Sequence, residues 1–111
     1  MSLPHTPGPW RSATPQGGSL PYGAIVADTL PAGRHYSPGA EASEVAAYGG
    51  YLVAESVQPQ DRPIIVAAPD LLAACESVLA NMAPLIQAGD PLGLESARVL
   101  SAVIRAAHGE A

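Results

Sequence analysis

Glu41 and Glu44 stand three residues apart, a spacing that sets two carboxylates side by side on one face of a helix. Neighbouring carboxylates can share a proton and divide into an acid and a base. An exposed acidic face accounts for this pair more simply. Glu55 ends the alternating run Tyr51-Leu52-Val53-Ala54-Glu55. It shares a strand face with Tyr51, Val53 and Val57. If that face is buried, an unpaired carboxylate there costs on the order of several kcal/mol, so Arg11 or Arg62 is expected to pair with it. A structural ion pair is preferred over a catalytic acid. The soft and borderline metal ligands are His5, His35, His108 and Cys75. They are far apart, and none forms a Cys-x-x-Cys or His-x-x-x-His pattern. A zinc site needs three or four converging ligands, so no metal or other cofactor is expected. Cys75 reads as a small core residue. No serine lies in a Gly-x-Ser-x-Gly elbow. The pairs Gly17-Gly18 and Gly49-Gly50 mark turns, not a phosphate cradle. No catalytic residue is assigned. The polar and aromatic candidates for contacting a ligand are His5, Trp10, His35, Tyr36 and Glu55.

The elements that would position these residues belong to a short chain of 111 residues with a formal charge of -5. Its length and 48% apolar content suit one small domain, not two cores, and exclude full disorder. All five basic residues are scattered arginines, at 11, 34, 62, 98 and 105. Nucleic-acid binders concentrate positive charge against phosphates, so no nucleic-acid partner is expected, and anionic lipid is disfavoured too. No apolar run approaches the roughly 18 residues of a membrane span. A single cysteine excludes an internal disulfide and fits a reducing cytoplasm. The N-terminus shows no secretory signal pattern.

Composition shifts at about residue 60. Residues 1–59 hold eight of the eleven glycines, eight of the twelve prolines and all five aromatics, whereas 60–111 are rich in Ala and Leu. The chain therefore reads as α+β: a small antiparallel sheet of about three strands packed on two or three C-terminal helices. Strands are expected at Trp10–Ala13, Tyr22–Asp28 and Gly50–Val57, with a turn at Pro15–Gly18. The interval 29–49 is a long loop, with room for a short helix over Glu41–Ala47. Asp61 is placed to cap a helix through Ile64, Ile65 and Val66. Pro69 is expected to break or kink it near Ala68, because an interior proline costs about 3 kcal/mol. From Asp70, the residues Leu71, Leu72, Cys75, Val78, Leu79 and Met82 share one expected buried face. A last helix runs from Pro91 or Leu94 to Ala107, with Leu100, Val103 and Ile104 inward and Gly109 ending it.

Three stretches stand out together: His5-Thr6-Pro7-Gly8-Pro9-Trp10, Gly50-Tyr51-Leu52-Val53-Ala54, and Ile64 to Ala74 with its Ala-Ala-Pro-Asp-Leu-Leu centre. Their order resembles a family of short phage and prophage proteins. Members carry the N-terminal His-Thr-Pro-Gly-Pro-Trp segment and the later helix junction. Two features depart from that pattern: Asp61-Arg62-Pro63-Ile64-Ile65 replaces an Asn-Ala-Arg-Leu-Ile type of lead, and 29–48 looks like an insertion. The resemblance implies a phage-encoded accessory protein in a bacterial cytoplasm and supplies no reaction.

The expected function is therefore non-catalytic. It works through protein–protein interaction with a host or phage protein and through a homo-dimer or higher homo-oligomer, since a small sheet leaves edges and apolar faces to cover. The alternative is a small-ligand binder or small enzyme with a pocket between sheet and helices. In the His5–Trp10 segment, a structural role for Trp10 outweighs a recognition surface, because an indole buries so much area.

Overall fold

The computed structural model describes residues 5–13 and 23–110. Three strands, β1 (Trp10–Ser12), β2 (Ile25–Ala27) and β3 (Tyr51–Ala54), form an antiparallel sheet in the order β1-β2-β3. Four helices accompany them: α1 (Ala40–Tyr48), α2 (Arg62–Asn81), α3 (Ala83–Gln87) and α4 (Pro91–Ala107). The arrangement is α+β. By proximity the chain forms two compact units, Leu3–Pro69 and Asp70–Ala111. The expected Pro15–Gly18 turn lies outside the described residues.

In the first unit the central strand carries the core. Ala24, Ile25, Val26 and Ala27 are buried, and Ile25 and Val26 are fully enclosed. All three strands are shorter than the alternation suggests. β3 stops at Ala54 because Ser56 takes a left-handed backbone (φ 61°) that no ladder accommodates. Glu55 is therefore exposed beyond the strand. Past the break, the Val57 N–H donates to the Gly23 carbonyl (3.0 Å).

The Gly49-Gly50 pair performs two separate tasks. Gly49 (φ 76°) closes α1 by donating its N–H to the Val45 carbonyl. Gly50 is buried against β2, where an added Cβ would lie 2.9 Å from the Ala27 carbonyl oxygen and 3.1 Å from Val26.

Pro69 does not break the helix: α2 runs unbroken from Arg62 to Asn81. The two standout sequence motifs meet at this proline. Gly8 lies against it so closely that a Cβ on Gly8 would come within 2.7 Å of the Pro69 Cβ. Packing at the ring offsets part of the missing hydrogen bond, so the penalty that should end a helix is tolerated. The continuity also makes α2 long and apolar enough to cross a membrane by length and composition, although no single sequence run suggested it.

In the second unit, Asp90 caps α4: its Oδ2 accepts from the Gly93 N–H at 2.7 Å, with Pro91 in the first turn. Gly93 is buried against Leu85 of α3. At the other end, His108 approaches Glu76 of α2 at 3.4 Å.

Gly50→Ala should lower stability by about 1–3 kcal/mol, because its methyl meets backbone that cannot yield. Urea unfolding should show a reduced midpoint at an unchanged slope.

Candidate functional site

The richest polar cluster lies along the outer edge of β3. In an antiparallel ladder, alternate residues of an edge strand direct both backbone groups outward. Leu52 is such a residue. Its carbonyl accepts from Arg34 Nη1 at 3.0 Å, and its N–H donates to Glu44 Oε2 at 3.3 Å. The same two side chains form an ion pair, Arg34 Nη2 to Glu44 Oε1 at 2.7 Å. Arg34 and Glu44 thus engage both outward backbone groups of one β3 residue, as a fourth strand would. Glu44 also accepts from the Tyr36 hydroxyl at 2.6 Å, and the Arg34 guanidinium lies 5.2 Å from the centre of the Tyr36 ring.

Helix α1 docks through its polar face. Glu41, Glu44 and Tyr48, spaced three and four apart, are its half-buried residues on that side, while Val45 points outward. The Tyr51 hydroxyl donates to Glu41 at 2.5 Å, and the Tyr48 hydroxyl donates to Glu55 at 3.0 Å. Glu41 and Glu44 are therefore bonded into the sheet edge, contrary to the exposed acidic face expected of them. Periodicity locates a face but does not say which face turns inward, and here the donors sit on the strand. Glu55 takes a tyrosine hydroxyl. Arg11, one of its two expected partners, instead pairs with Asp28 at 2.8 Å and donates to the Gly49 carbonyl. The other, Arg62, donates to the Val57 carbonyl at 3.3 Å.

The three tyrosines remain donors over the ordinary pH range. Burial, then the bond and charge of Glu44, raise the Tyr36 phenol from 10.0 to about 12. The hydrogen bond to Glu55 raises Tyr48, and that to Glu41 raises Tyr51, burial adding to each. Each glutamate meets an uncharged phenol that gives it a proton to share in a hydrogen bond. This is an edge-sealing network, with its acceptors turned toward protein donors and away from an open cleft.

The other candidates do not converge on it as a group. His35 is exposed. His5 and Trp10 form a closed feature of their own. The indole N–H donates to the Thr6 carbonyl at 3.0 Å, His5 Nδ1 contacts the same oxygen at 2.9 Å, and the two rings meet edge-on at 6.4 Å. Of the five candidates, only Tyr36 belongs to the Glu44 network. Arg34 was not singled out from the sequence, because nothing in its spacing tied it to Glu44 or to a strand eighteen residues away. Among the described residues, no group of three or more His, Cys, Asp or Glu side chains is arranged to hold a metal ion.

A second feature is apolar. Along α2, Leu72, Cys75 and Leu79 are half buried, and Met82, just past its end, is buried, whereas Leu71 and Val78, assigned from periodicity to the same buried face, are half exposed. On α4, Leu100 and Ile104 face inward as expected, but Val103 is 53% exposed, and Val99 and Leu92 continue its stripe. These corrections share one cause. On each helix the apolar arc is wider than the stripe that is half buried.

A family model described as Salmonella phage P22 protein Y8K6 matches residues 1–111, the full length, so the chain belongs to that phage family. No curated protein and no solved structure matches it.

Two outcomes test the edge network. Glu44→Ala should cost about 1–3 kcal/mol, because it strands the Arg34 guanidinium and the Leu52 N–H together. The loss should show in thermal and urea melts. Tyr36 has its folded-state value raised, so the stabilisation it gives is complete below pH 10.0 and is lost as pH rises toward about 12. Stability measured over that window should fall, and Tyr36→Phe should flatten the fall. The steep loss persisting unchanged in that variant would remove Tyr36 as its source.

Proposed function

We propose that this phage-family chain is a non-catalytic accessory protein of the bacterial cytoplasm that works by protein–protein contact, including contact with its own copies. One observation carries the reading: the helices of the Asp70–Ala111 unit leave large apolar side chains in water. Leu92 is 80% exposed, and Leu71, Val78, Leu94, Val99 and Val103 are about half exposed. Scattered exposed apolar residues are ordinary, but contiguous ones mark an interaction surface. The polar cluster supports the same reading from the other side, since its carboxylates are engaged in holding the sheet edge.

Lipid is the competing destination for exposed apolar helix. Asp70 and Glu76 fall within the apolar stretch of α2, and an aspartate at the centre of a membrane helix costs about 2.5–3.5 kcal/mol. The overall charge of -5 also opposes anionic lipid. Protein is the better fit.

Native mass spectrometry and sedimentation velocity on the purified chain test the proposal. The expected species has twice or more the 11.3 kDa chain mass, with its population growing with concentration. A chain that stays monomeric throughout would overturn self-association.

A further inference from the structure

We propose that the His5–Trp10 segment is a strap that fixes the angle of α2 at Pro69, and that unseating it lets the helix bend there. A proline inside a helix has no N–H to give to the carbonyl four residues earlier, and its ring crowds that carbonyl. Sharp helix kinks fall mostly at such residues. In α2 the carbonyl deprived of this donor is that of Ile65. Packing along the helix gives the joint little support, because no residue of α2 is fully buried. What cover there is concentrates at the joint. Ile65, Val66, Ala67, Ala68 and Pro69 are half buried in succession, and five consecutive residues go more than once around a helix. From Asp70 onward exposed residues return. One compact unit ends at Pro69 and the other begins at Asp70.

The strap is built to press on that joint. Gly8 lies so close to Pro69 that an added Cβ would stand 2.7 Å from the proline Cβ and 3.2 Å from its Cγ. Gly8 does not take a left-handed backbone, so glycine serves here for close approach and not for conformational freedom. The residues on either side of it are tied down. The Trp10 indole N–H donates to the Thr6 carbonyl at 3.0 Å, which closes a loop with Gly8 midway, and His5 Nδ1 meets the same oxygen at 2.9 Å. Trp10 is also the first residue of β1, where it pairs with Ala27 of the buried strand β2. A closed loop anchored on the core of the sheet holds Gly8 in place, and the proline ring rests against it.

Paired nitroxide labels across the joint test this. Ile64→Cys with Val78→Cys, in a Cys75→Ser background, set two labels on one side of α2, about 21 Å apart along its axis. The full-length labelled chain is diluted with unlabelled chain, so that only distances within one molecule are read. A bend of about 20° shifts such labels relative to one another by on the order of 3 Å. Double electron–electron resonance on the parent chain should give one narrow distance distribution. Gly8→Val, whose side chain cannot share space with the proline ring, should broaden the distribution by that amount. Adding Pro69→Ala to Gly8→Val restores the hydrogen bond to the Ile65 carbonyl and should narrow it again. Circular dichroism establishes that each variant is folded, and Gly8→Ala repeats the comparison in milder form if valine unfolds the chain. A broad distribution in the parent, or an unchanged one in the folded Gly8 variants, overturns the strap. Broadening that survives Pro69→Ala places the bend elsewhere and overturns the joint.

Discussion

The exposed backbone of β3 is the constraint around which the first unit is organised. A sheet of three strands, each three or four residues long, has a single interior strand, and β2 alone is fully buried. Every other strand has an edge, and an edge of unpaired N–H and carbonyl groups invites another chain. On β3 the protein answers with side chains. Arg34 supplies a donor to the Leu52 carbonyl and Glu44 an acceptor to its N–H. Their mutual ion pair holds both in place.

This solution dictates the segment that precedes it. Arg34 and Glu44 must arrive together from the same side, which requires the chain to turn after Pro31 and then run as α1. The N–H of Arg34 donates to the Pro31 carbonyl, and Gly39 and Gly49 take left-handed conformations at the two ends of the helix. The tyrosines follow from the same need. Bonded to Glu44, Glu55 and Glu41 in turn, Tyr36, Tyr48 and Tyr51 give each acidic side chain a neutral donor. Placing lysines there would add charge and a larger desolvation cost at a half-buried edge. An arginine stacked on a tyrosine ring is the one cation used.

Much of this layout was legible from residue types, and the failures have identifiable causes. The strands, the division into a β-rich and a helical half, the last helix starting near Pro91 and the Gly49-Gly50 boundary all follow from local chemistry acting over one to four residues. The shortening of β3 at Ser56 does not, because a serine announces no left-handed backbone. Nor does the continuity of α2: Pro69 carries a local penalty, and what offsets it, Gly8, lies some sixty residues away in sequence. The acidic face of α1 was found and its direction missed. A carboxylate turns toward water or toward donors according to where the donors are, which is tertiary information. The edge clamp needed a residue, Arg34, whose sequence neighbourhood gives no sign of it.

The helical half shows a different kind of ambiguity. Leu71, Val78 and Val103 obey the spacing of buried positions and yet lie outside the packed interface of their own unit. Periodicity reports that a side chain is apolar on a given face; it does not report whether the atoms that cover it belong to the same molecule. A core helix with one neighbour needs an apolar arc only as wide as that neighbour. A helix with an additional neighbour from another chain needs a wider arc, and that arc looks identical in sequence to a deeper core. The apolar arcs on α2 and α4 are wider than their half-buried stripes, and that width, unlike the spacing, is visible only in the folded chain.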